Sequence, residues 1–273
     1  MSPIRGGILH LPTSHDGRYS QSLERGLAIL RAFTPEQPWL GIAEIADGLE
    51  MSRPTTHRYA STLVALGYLE QGPRRKYRLG VRAGDPGRSA VNSTTLRNLP
   101  DHCLADLRDR SGCTASLAVL SGEDIVYVDR ARSAWQGQNE VTERLGRGSR
   151  LPAANTAMGR ALLAHRGPDR RSGALVAGAE EQRESQQDVR AREKLFEELE
   201  RLREKEFVVA DSVRVKGERC VASVVRGRSG EIVGAVDVAA PKLTFSRAQT
   251  LERLAPLVVA SAEEMSAHLG YMP

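Results

Sequence analysis

The chain is poor in the features that mark several common protein classes. Aromatic residues make up only 4% of its 273 residues, which argues against stacking on single-stranded bases as a main activity. Its three cysteines, Cys103, Cys113 and Cys220, are too few and too scattered for a disulfide framework, and no Cys-x-x-Cys pair suggests zinc. No apolar run approaches the roughly 18 residues of a membrane span and no signal peptide is present, so we expect a cytoplasmic protein without a membrane partner.

The sequence also lacks the motifs of the common enzyme classes. It contains no nucleophile elbow, no phosphate-cradling Gly-x-Gly-x-x-Gly run and no metal-ligand repeat, so we predict a protein that is not an enzyme and holds no cofactor or metal. Cys220 heads an apolar stretch with no histidine near it, which favours a buried small hydrophobe over a nucleophile. An enzyme that uses Cys220, Asp211 and Asp237 stays open as an alternative.

Positive charge is concentrated in one stretch. The chain has 39 basic and 34 acidic residues, a net charge of +5. Between Arg53 and Arg78, six basic residues stand against the single acid Glu70, so this stretch carries as much net charge as the whole chain. A basic patch on an otherwise balanced protein is typical of a phosphate-binding face.

The same region predicts three helices and a hairpin. Apolar residues recur at helical spacing over 22–33 and 42–49, and a third helix begins at Ser52, with Pro54 in its first turn and Gly67 at its end. Residues 68–79 then follow the pattern of a strand, a basic turn and a strand. This order predicts a winged helix-turn-helix domain over residues 20–80.

The pattern and the start of the first helix are also predicted from the sequence. Leu23, Leu27 and Leu30, together with Ala28 and Phe33, follow the helical period and indicate a helix. Ser22 is the predicted N-cap.

The geometry of a winged helix predicts which residues meet DNA. The third helix lies in the major groove with its first residues at the base edges, and the wing flanks the backbone. Residues near the start of this helix and in the wing are therefore the candidate DNA contacts: Ser52, Arg53, Thr55, Thr56, His57, Arg58, Arg74, Arg75 and Lys76. A protein-interaction or dimerisation module is the alternative, and His57 also fits a surface or capping role.

The remaining segments predict an arm, a linker and a second domain. Residues 1–19 read as a disordered arm, and 81–98 as a linker in which Gly84-Asp85-Pro86-Gly87 should break any helix. Residues 99–273 predict an α+β domain with antiparallel strands. Its predicted helices are 99–111, 156–165, 189–207 and 246–269, the last divided at Pro256, and its predicted strands are 114–120, 125–128, 220–225 and 232–239.

Several strings, taken together, resemble the isocitrate-lyase-regulator (IclR) family of bacterial transcription factors from Gln21 to Tyr271. The strings are Gln21-Ser22-Leu23-Glu24-Arg25-Gly26-Leu27-Ala28-Ile29-Leu30, Met51-Ser52-Arg53-Pro54-Thr55-Thr56-His57-Arg58, Leu66-Gly67-Tyr68, Lys76-Tyr77-Arg78-Leu79-Gly80, Gly148-Ser149-Arg150-Leu151-Pro152, Thr156-Ala157-Met158-Gly159-Arg160-Ala161-Leu162-Leu163-Ala164 and Gly217-Glu218-Arg219-Cys220-Val221-Ala222. The resemblance implies a winged helix joined through a linker helix to a GAF-like α/β effector-binding domain. It further implies a dimer or tetramer that binds a palindromic double-stranded operator and senses a small organic acid or aromatic catabolite.

The resemblance also implies an effector site and one departure within it. The implied effector-binding residues are Ala157, Met158, Asp211, Cys220, Asp237 and Ala239. Members that bind small carboxylates place hydroxyl side chains where this chain has Asp237 and Ala239. A carboxylate there would repel a carboxylate effector unless a cation or a proton intervenes, so a different ligand chemistry is expected. A DNA-binding protein without an effector is the remaining alternative.

Overall fold

The computed structural model of the chain describes residues 19–34, 37–92, 95–100, 102–134, 145–166, 186–213 and 215–272. The chain divides into two compact units, residues 1–90 and 91–273. All of the expected N-terminal arm except Tyr19 lies outside the described residues. No helix in the described ranges has the length and apolar character needed to cross a membrane.

The first unit is a winged helix-turn-helix, as the sequence predicts. Its elements are α1 (Gln21–Arg31), α2 (Ile42–Gly48), α3 (Arg53–Ala65), β1 (Leu69–Gln71) and β2 (Tyr77–Leu79). The two strands pair antiparallel, and Leu40 adds a bridge to Tyr77 at the other edge of β2. The core between the helices and the hairpin is formed by Ile29, Phe33, Leu40, Ile45, Ala60, Leu69 and Tyr77.

Helix α1 departs from the sequence prediction at its start. Its N-cap is Ser20, whose hydroxyl accepts a hydrogen bond from the Leu23 amide, rather than Ser22. Leu23 and Leu27 are 64% and 52% exposed, whereas Ile29 is fully buried and Leu30 packs against the core. Helical spacing alone does not select between two neighbouring apolar rows, and the packing of α1 selects the row that contains Ile29.

Helix α3 begins and ends where its sequence indicates. The Ser52 hydroxyl caps the Thr55 amide, and Pro54 occupies the first turn, where a missing N–H breaks no helical hydrogen bond. At the C-terminal end Gly67 has a φ of +78°, and the amides of Gly67 and Tyr68 donate to the carbonyls of Val64 and Leu63. This Schellman arrangement turns the chain directly into the wing.

The linker contains a helix, which the family resemblance implies and the local Gly84-Asp85-Pro86-Gly87 string argues against. After a 3-10 turn at Val81–Gly84, helix α4 runs from Asp85 to Asn92. Pro86 is the second residue of α4, where its absent N–H has no helical partner to lose. The Gly84-Asp85-Pro86-Gly87 string therefore starts a helix instead of breaking one.

The second unit is a six-stranded antiparallel sheet with helices on both faces. Its elements are α5 (His102–Ser111), β3 (Thr114–Ser121), β4 (Asp124–Ala131), β5 (Arg150–Pro152), α6 (Ala157–Ala164), α7 (Gln186–Leu202), β6 (Val208–Asp211), β7 (Glu218–Arg226), β8 (Ile232–Pro241) and α8 (Ala255–His268). The strand order is β5-β4-β3-β8-β7-β6. The hairpins predicted at residues 122–123 and 227–230 are confirmed, whereas the edge strands β5 and β6 are not predicted from the sequence.

Alternation along the strands separates two cores. Helices α5 and α8 cover one face, where Leu107, Val221, Val238 and Met265 pack, and this surface is called the α5/α8 face. Helices α6 and α7 cover the opposite α6/α7 face, whose buried residues include Ile125, Met158, Leu199, Ala222 and Ala235. A π-helical turn at Thr250–Leu254 precedes α8, so the C-terminal helix is divided next to Pro256 as predicted.

Candidate functional site

Helix α3 presents a polar, exposed row along its free side. Arg53, His57, Arg58, Ser61 and Thr62 are exposed and recur three or four residues apart, which places them on one side of the helix. The Arg58 guanidinium lies 5.9 Å from the ring centre of Tyr59. In winged-helix proteins generally, the free side of the third helix lies in the major groove.

Two predicted contacts at the start of α3 are engaged within the helix cap. The Ser52 hydroxyl donates to Thr55 Oγ1 at 2.8 Å, so these side chains order the first turn. Thr56 is fully buried, and its hydroxyl donates to the Ser52 carbonyl at 3.1 Å. The assignment of Thr56 as a DNA contact is therefore corrected to a buried residue, because the helical period turns it away from the exposed row.

The wing tip is an unusual tight turn built from two arginines. Arg74 and Arg75 have φ values of 56° and 55°, and the Lys76 amide donates to the Pro73 carbonyl. This left-handed pair matches a type I′ hairpin turn, which normally contains Asn-Gly because other residues pay about 1 kcal/mol or more in that conformation. Proteins commonly retain backbone strain of this kind at functional positions. Both arginine side chains are exposed to solvent here.

Packing at the base of the wing fixes its position on the helices. A Cβ on Gly72 would come within 2.4 Å of the Trp39 ring, so only glycine allows the hairpin to approach this ring. The Arg78 guanidinium lies 5.2 Å from the Trp39 ring centre and also donates to the Glu70 carboxylate at 2.7 Å. The wing is thereby attached to the domain through its base and leaves its tip exposed.

The basic residues of this surface fall into two groups. Lys76 Nζ lies 3.3 Å from a Glu44 carboxylate oxygen, and Arg78 is paired with Glu70. Within the part of the chain that the structure describes, Arg53, Arg74 and Arg75 form no ion pair. The cations of the α3 start and the wing tip therefore have no counter-charge among the residues that the structure describes.

A polar row crosses the α6/α7 face of the second unit. Arg130, Ser116, Asp237 and Ala222 are successive cross-strand partners on β4, β3, β8 and β7. The Ser116 hydroxyl hydrogen-bonds the Asp237 carboxylate, and Arg130 adds an attractive positive charge. Asp237 is 5% exposed, and its Oδ1 has no hydrogen-bond partner among the described residues.

Burial controls the electrostatics of this row. Desolvation raises the pKa of Asp237 to about 7, although Arg130 and the Ser116 hydrogen bond act in the opposite direction. Burial together with the charge of Asp237 also raises the pKa of the Cys220 thiol, which keeps it protonated. A protonated, half-buried thiol is a weak nucleophile, in agreement with the small-hydrophobe interpretation of Cys220.

The start of helix α6 covers the same face. Thr156 Oγ1 accepts a hydrogen bond from the Gly159 amide at 2.9 Å, which leaves the Ala157 and Met158 amides in the first turn without an intrahelical partner. A Cβ on Gly159 would come within 2.1 Å of the Ala153 carbonyl oxygen, so glycine permits this close approach. Backbone amides at a helix start attract anions.

The structure brings together five of the six predicted effector residues. Ala157 and Met158 belong to the buried core of the α6/α7 face, Cys220 packs against it, and Asp237 and Ala239 alternate with core residues on β8. The assignment of Asp211 as an effector-binding residue is corrected, because Ala210 occupies the corresponding position on this face and Asp211 faces the other way. Its exposed carboxylate is paired with Arg219 at 3.0 Å and Lys242 at 2.8 Å.

Sequence reasoning missed other polar residues of the face. These are Ser116, Tyr127, Arg130 and Glu218, of which Tyr127 and Glu218 are buried or half-buried with a raised pKa caused by desolvation. Of these residues, Ser116 is the easiest to identify from the sequence, since it is a polar residue inside the apolar predicted strand 114–120. Arg130 lies two residues beyond the predicted end of its strand.

Together, an exposed row of cations on a winged helix and a polar face in an attached α/β unit define a DNA-binding transcriptional regulator with an effector domain. The chain belongs to the IclR family. The IclR helix-turn-helix domain matches residues 22–73, and the C-terminal domain of the bacterial transcriptional regulator IclR matches residues 88–267. Membership confirms the fold class and the DNA-binding, non-enzymatic class that the sequence analysis predicts.

Known proteins resemble the chain over nearly its whole length. The HTH-type transcriptional regulator KdgR of Escherichia coli (strain K12) is 30% identical over 251 residues, which cover 92% of this chain and 93% of KdgR. Among solved structures, an IclR family transcriptional regulator from Brucella abortus has a TM-score of 0.75 at 24% identity and covers 92% of this chain and 94% of its own. An IclR homolog from Microbacterium hydrocarbonoxydans, complexed with 4-hydroxybenzoate, has a TM-score of 0.69 at 22% identity and covers 91% of this chain and 98% of its own.

Proposed function

We propose that the chain is a cytoplasmic regulator that binds a palindromic operator and senses a small organic acid carrying a hydroxyl group. The observation that carries the effector assignment is the buried Asp237 carboxyl, whose Oδ1 has no partner among the described residues. A buried acceptor of this kind costs free energy until a donor reaches it, so a ligand hydroxyl that reaches Oδ1 recovers that cost.

The two ends of such a ligand match two different groups. The amides of Ala157 and Met158, which have no partner within helix α6, suit a carboxylate, while Asp237 repels a carboxylate and accepts a hydrogen bond from a hydroxyl. This division reconciles Asp237 with an acidic effector, because the two negative groups lie at opposite ends of the ligand. A distant relative with the same fold, the Microbacterium homolog, is complexed with 4-hydroxybenzoate, which has both groups.

Matched ligand pairs test this assignment. Thermal shift assays and calorimetric titrations compare the members of each pair. One pair is 4-hydroxybenzoate and benzoate, and the other pairs are aliphatic hydroxy acids and their deoxy analogues. We expect the hydroxylated member of a pair to bind roughly tenfold or more tightly, the size expected for a hydrogen bond to a charged group. The preference for the hydroxylated ligand should vanish in Asp237→Ala and persist in Asp211→Asn, because the side chain of residue 211 faces away from this site. Equal binding of both members of a pair by the parent protein would refute the assignment.

Operator recognition is tested on the DNA upstream of the chain's own gene. Fluorescence anisotropy at several salt concentrations should show a preference of roughly 10³-fold over random duplex, with a steep salt dependence. Equal affinity for both duplexes would contradict recognition at that site. Effector addition should change operator affinity by about 1–3 kcal/mol, because a ligand acts only through different affinities for two arrangements.

A palindromic operator requires two copies of the winged helix, and we propose a homo-oligomer. Leu23 and Leu27 lie one turn apart on α1 and are exposed, which supports an apolar contact with a second copy. Light scattering after size exclusion should give a multiple of the chain mass that decreases in Leu23→Ser/Leu27→Ser. An unchanged mass in this variant would assign the contact to other surfaces.

A further inference from the structure

Two helix ends on the α5/α8 face bring three metal-binding side chains together. His102 and Cys103 begin α5, and His268 ends α8. One ligand atom from each residue lies within 4.8 Å of the other two. Within the described part of the chain this is the one group of three or more histidine, cysteine or acidic side chains with that spacing.

The donor set is specific in its chemistry. Two imidazoles and one thiolate are the ligands that zinc binds in tetrahedral sites, with Zn–N distances of about 2.0–2.1 Å and a Zn–S distance of about 2.3 Å. Those distances separate neighbouring ligand atoms by roughly 3.3–3.6 Å, so the three groups need to approach by little more than 1 Å. Both histidines are exposed and can rotate, while Cys103 is 4% exposed and fixed in the core.

Acidic side chains lie next to the same cluster. Asp106 follows Cys103 by three residues on α5, and Glu264 precedes His268 by four on α8, so each lies one turn from a ligand. Burial raises the pKa of the Cys103 thiol, and the Glu264 and Asp106 carboxylates raise it further. Negative charge next to the cluster attracts a divalent cation, although neither carboxylate belongs to the group of ligand atoms that lie within 4.8 Å of one another.

We propose that His102, Cys103 and His268 bind a zinc ion, with water in the fourth position. Binding replaces the Cys103 proton with the metal: the S–H bond breaks, a Zn–S bond forms and one proton is released to solvent. This site departs from the expectation of no metal, which arises because the ligands come from opposite ends of the second unit in sequence and form no repeat. The site lies on the face opposite Asp237 and does not depend on the proposed effector.

The ion would join the first helix of the second unit to its last helix. The start of α5, where two of the ligands lie, comes shortly after the linker in the sequence. Helix α8 packs in the α5/α8 core. A metal that binds only the folded arrangement stabilises it by mass action. We therefore expect a structural role, with zinc raising the thermal stability of the second unit.

The test uses the full-length protein after chelation and desalting under reducing conditions. Zinc titration against a chromophoric chelator should give one ion per chain, and differential scanning fluorimetry should show a rise in Tm. Cobalt substitution should give the visible bands of tetrahedral Co²⁺ and a thiolate-to-cobalt charge-transfer band.

Matched variants separate this site from adventitious binding. His268→Ala removes an exposed ligand without disturbing the core, and it should weaken zinc affinity by more than about tenfold. Cys103→Ser should abolish the charge-transfer band. Two control variants should change neither the zinc affinity nor this band: Cys113→Ser, which alters another buried cysteine of the same core, and His57→Ala, which alters an exposed histidine of the other unit. Unchanged zinc affinity in His268→Ala, or no binding by the parent protein at micromolar zinc, would overturn the proposal.

Discussion

The Lys76 ammonium lies 3.3 Å from a Glu44 carboxylate oxygen, which joins the base of the wing to helix α2. Glu44 also accepts a hydrogen bond from the Gly41 amide at 2.6 Å and so caps α2. These two contacts hold the Glu44 carboxylate in place and lower its pKa. Lys76 therefore differs from Arg74 and Arg75, although all three belong to one basic string.

The first prediction follows from this difference in pairing. Arg75→Ala should weaken binding to operator and random duplex alike and reduce the slope of log affinity against log salt by about 0.9, the loss of one phosphate contact. Lys76→Ala should reduce the slope less, since Lys76 leaves Glu44 when it binds phosphate. Glu44→Gln, which keeps the α2 cap, should raise DNA affinity. Equal slopes in Arg75→Ala and Lys76→Ala would contradict the two-group description.

The second prediction distinguishes base reading from core packing on α3. Arg53→Ala should cost about 1–3 kcal/mol on the operator and change the preferred base at one position, as expected for a lost base contact. Thr56→Val should lower the free energy of unfolding by about 1 kcal/mol, because it removes a buried hydrogen bond, and should leave the base preference unchanged. Binding-site selection on both variants measures this, and equal losses on operator and random DNA for Arg53→Ala would refute base reading.

The third prediction concerns the strained wing tip. Replacing Arg74-Arg75 by Asn-Gly should raise the free energy of unfolding by about 1–2 kcal/mol, since both residues suit positive φ, while DNA affinity falls. The Lys-Lys variant retains the strain and the charge and serves as the control in urea unfolding and anisotropy. Unchanged stability in Asn-Gly would show that the turn stores no strain.

The fourth prediction is a pH dependence of stability. The pKa of Asp237 is about 7 in the folded chain and near 3.8 in the unfolded chain, so the folded state binds more protons between those values. The free energy of unfolding should therefore fall as pH rises from about 4 to about 7, by up to about 4 kcal/mol from this group.

Asp237→Asn isolates that contribution. The variant lacks the buried charge, so its stability relative to the parent should increase with pH over the same range and level off above it. Thermal unfolding of both proteins from pH 5 to pH 8 measures the difference. A constant difference across this range would mean that Asp237 does not titrate there.

Local signals in the sequence specify the first unit almost completely. The Ser52 cap, Pro54 and Gly67 each act within a few residues, so the limits of α3 and the start of the wing follow from the sequence. The burial of Thr56 and the exposure of Leu27 do not, because they depend on which row of a helix meets its neighbours. Pro86 shows the same limit, since proline starts a helix or ends one according to its position.

The candidate sites of the second unit depend on contacts between distant residues. Asp237 was indicated by family resemblance, but its partners Ser116 and Arg130 become visible only with the strand register. The exclusion of Asp211 likewise requires the pairing of Ala210 with Cys220. His102 and His268 lie at the two ends of the unit, so no spacing rule predicts their proximity.

Alternation along β8 also bears on how this protein can change during evolution. Ala235, Asp237 and Ala239 point to the α6/α7 face, while Val236, Val238 and Ala240 pack in the α5/α8 core. Substitutions at the odd-numbered positions can alter ligand preference while the apolar core behind the same strand keeps its packing. New specificities can thus arise by single substitutions on an inherited scaffold, whereas a one-residue insertion in β8 would exchange both sets of side chains at once.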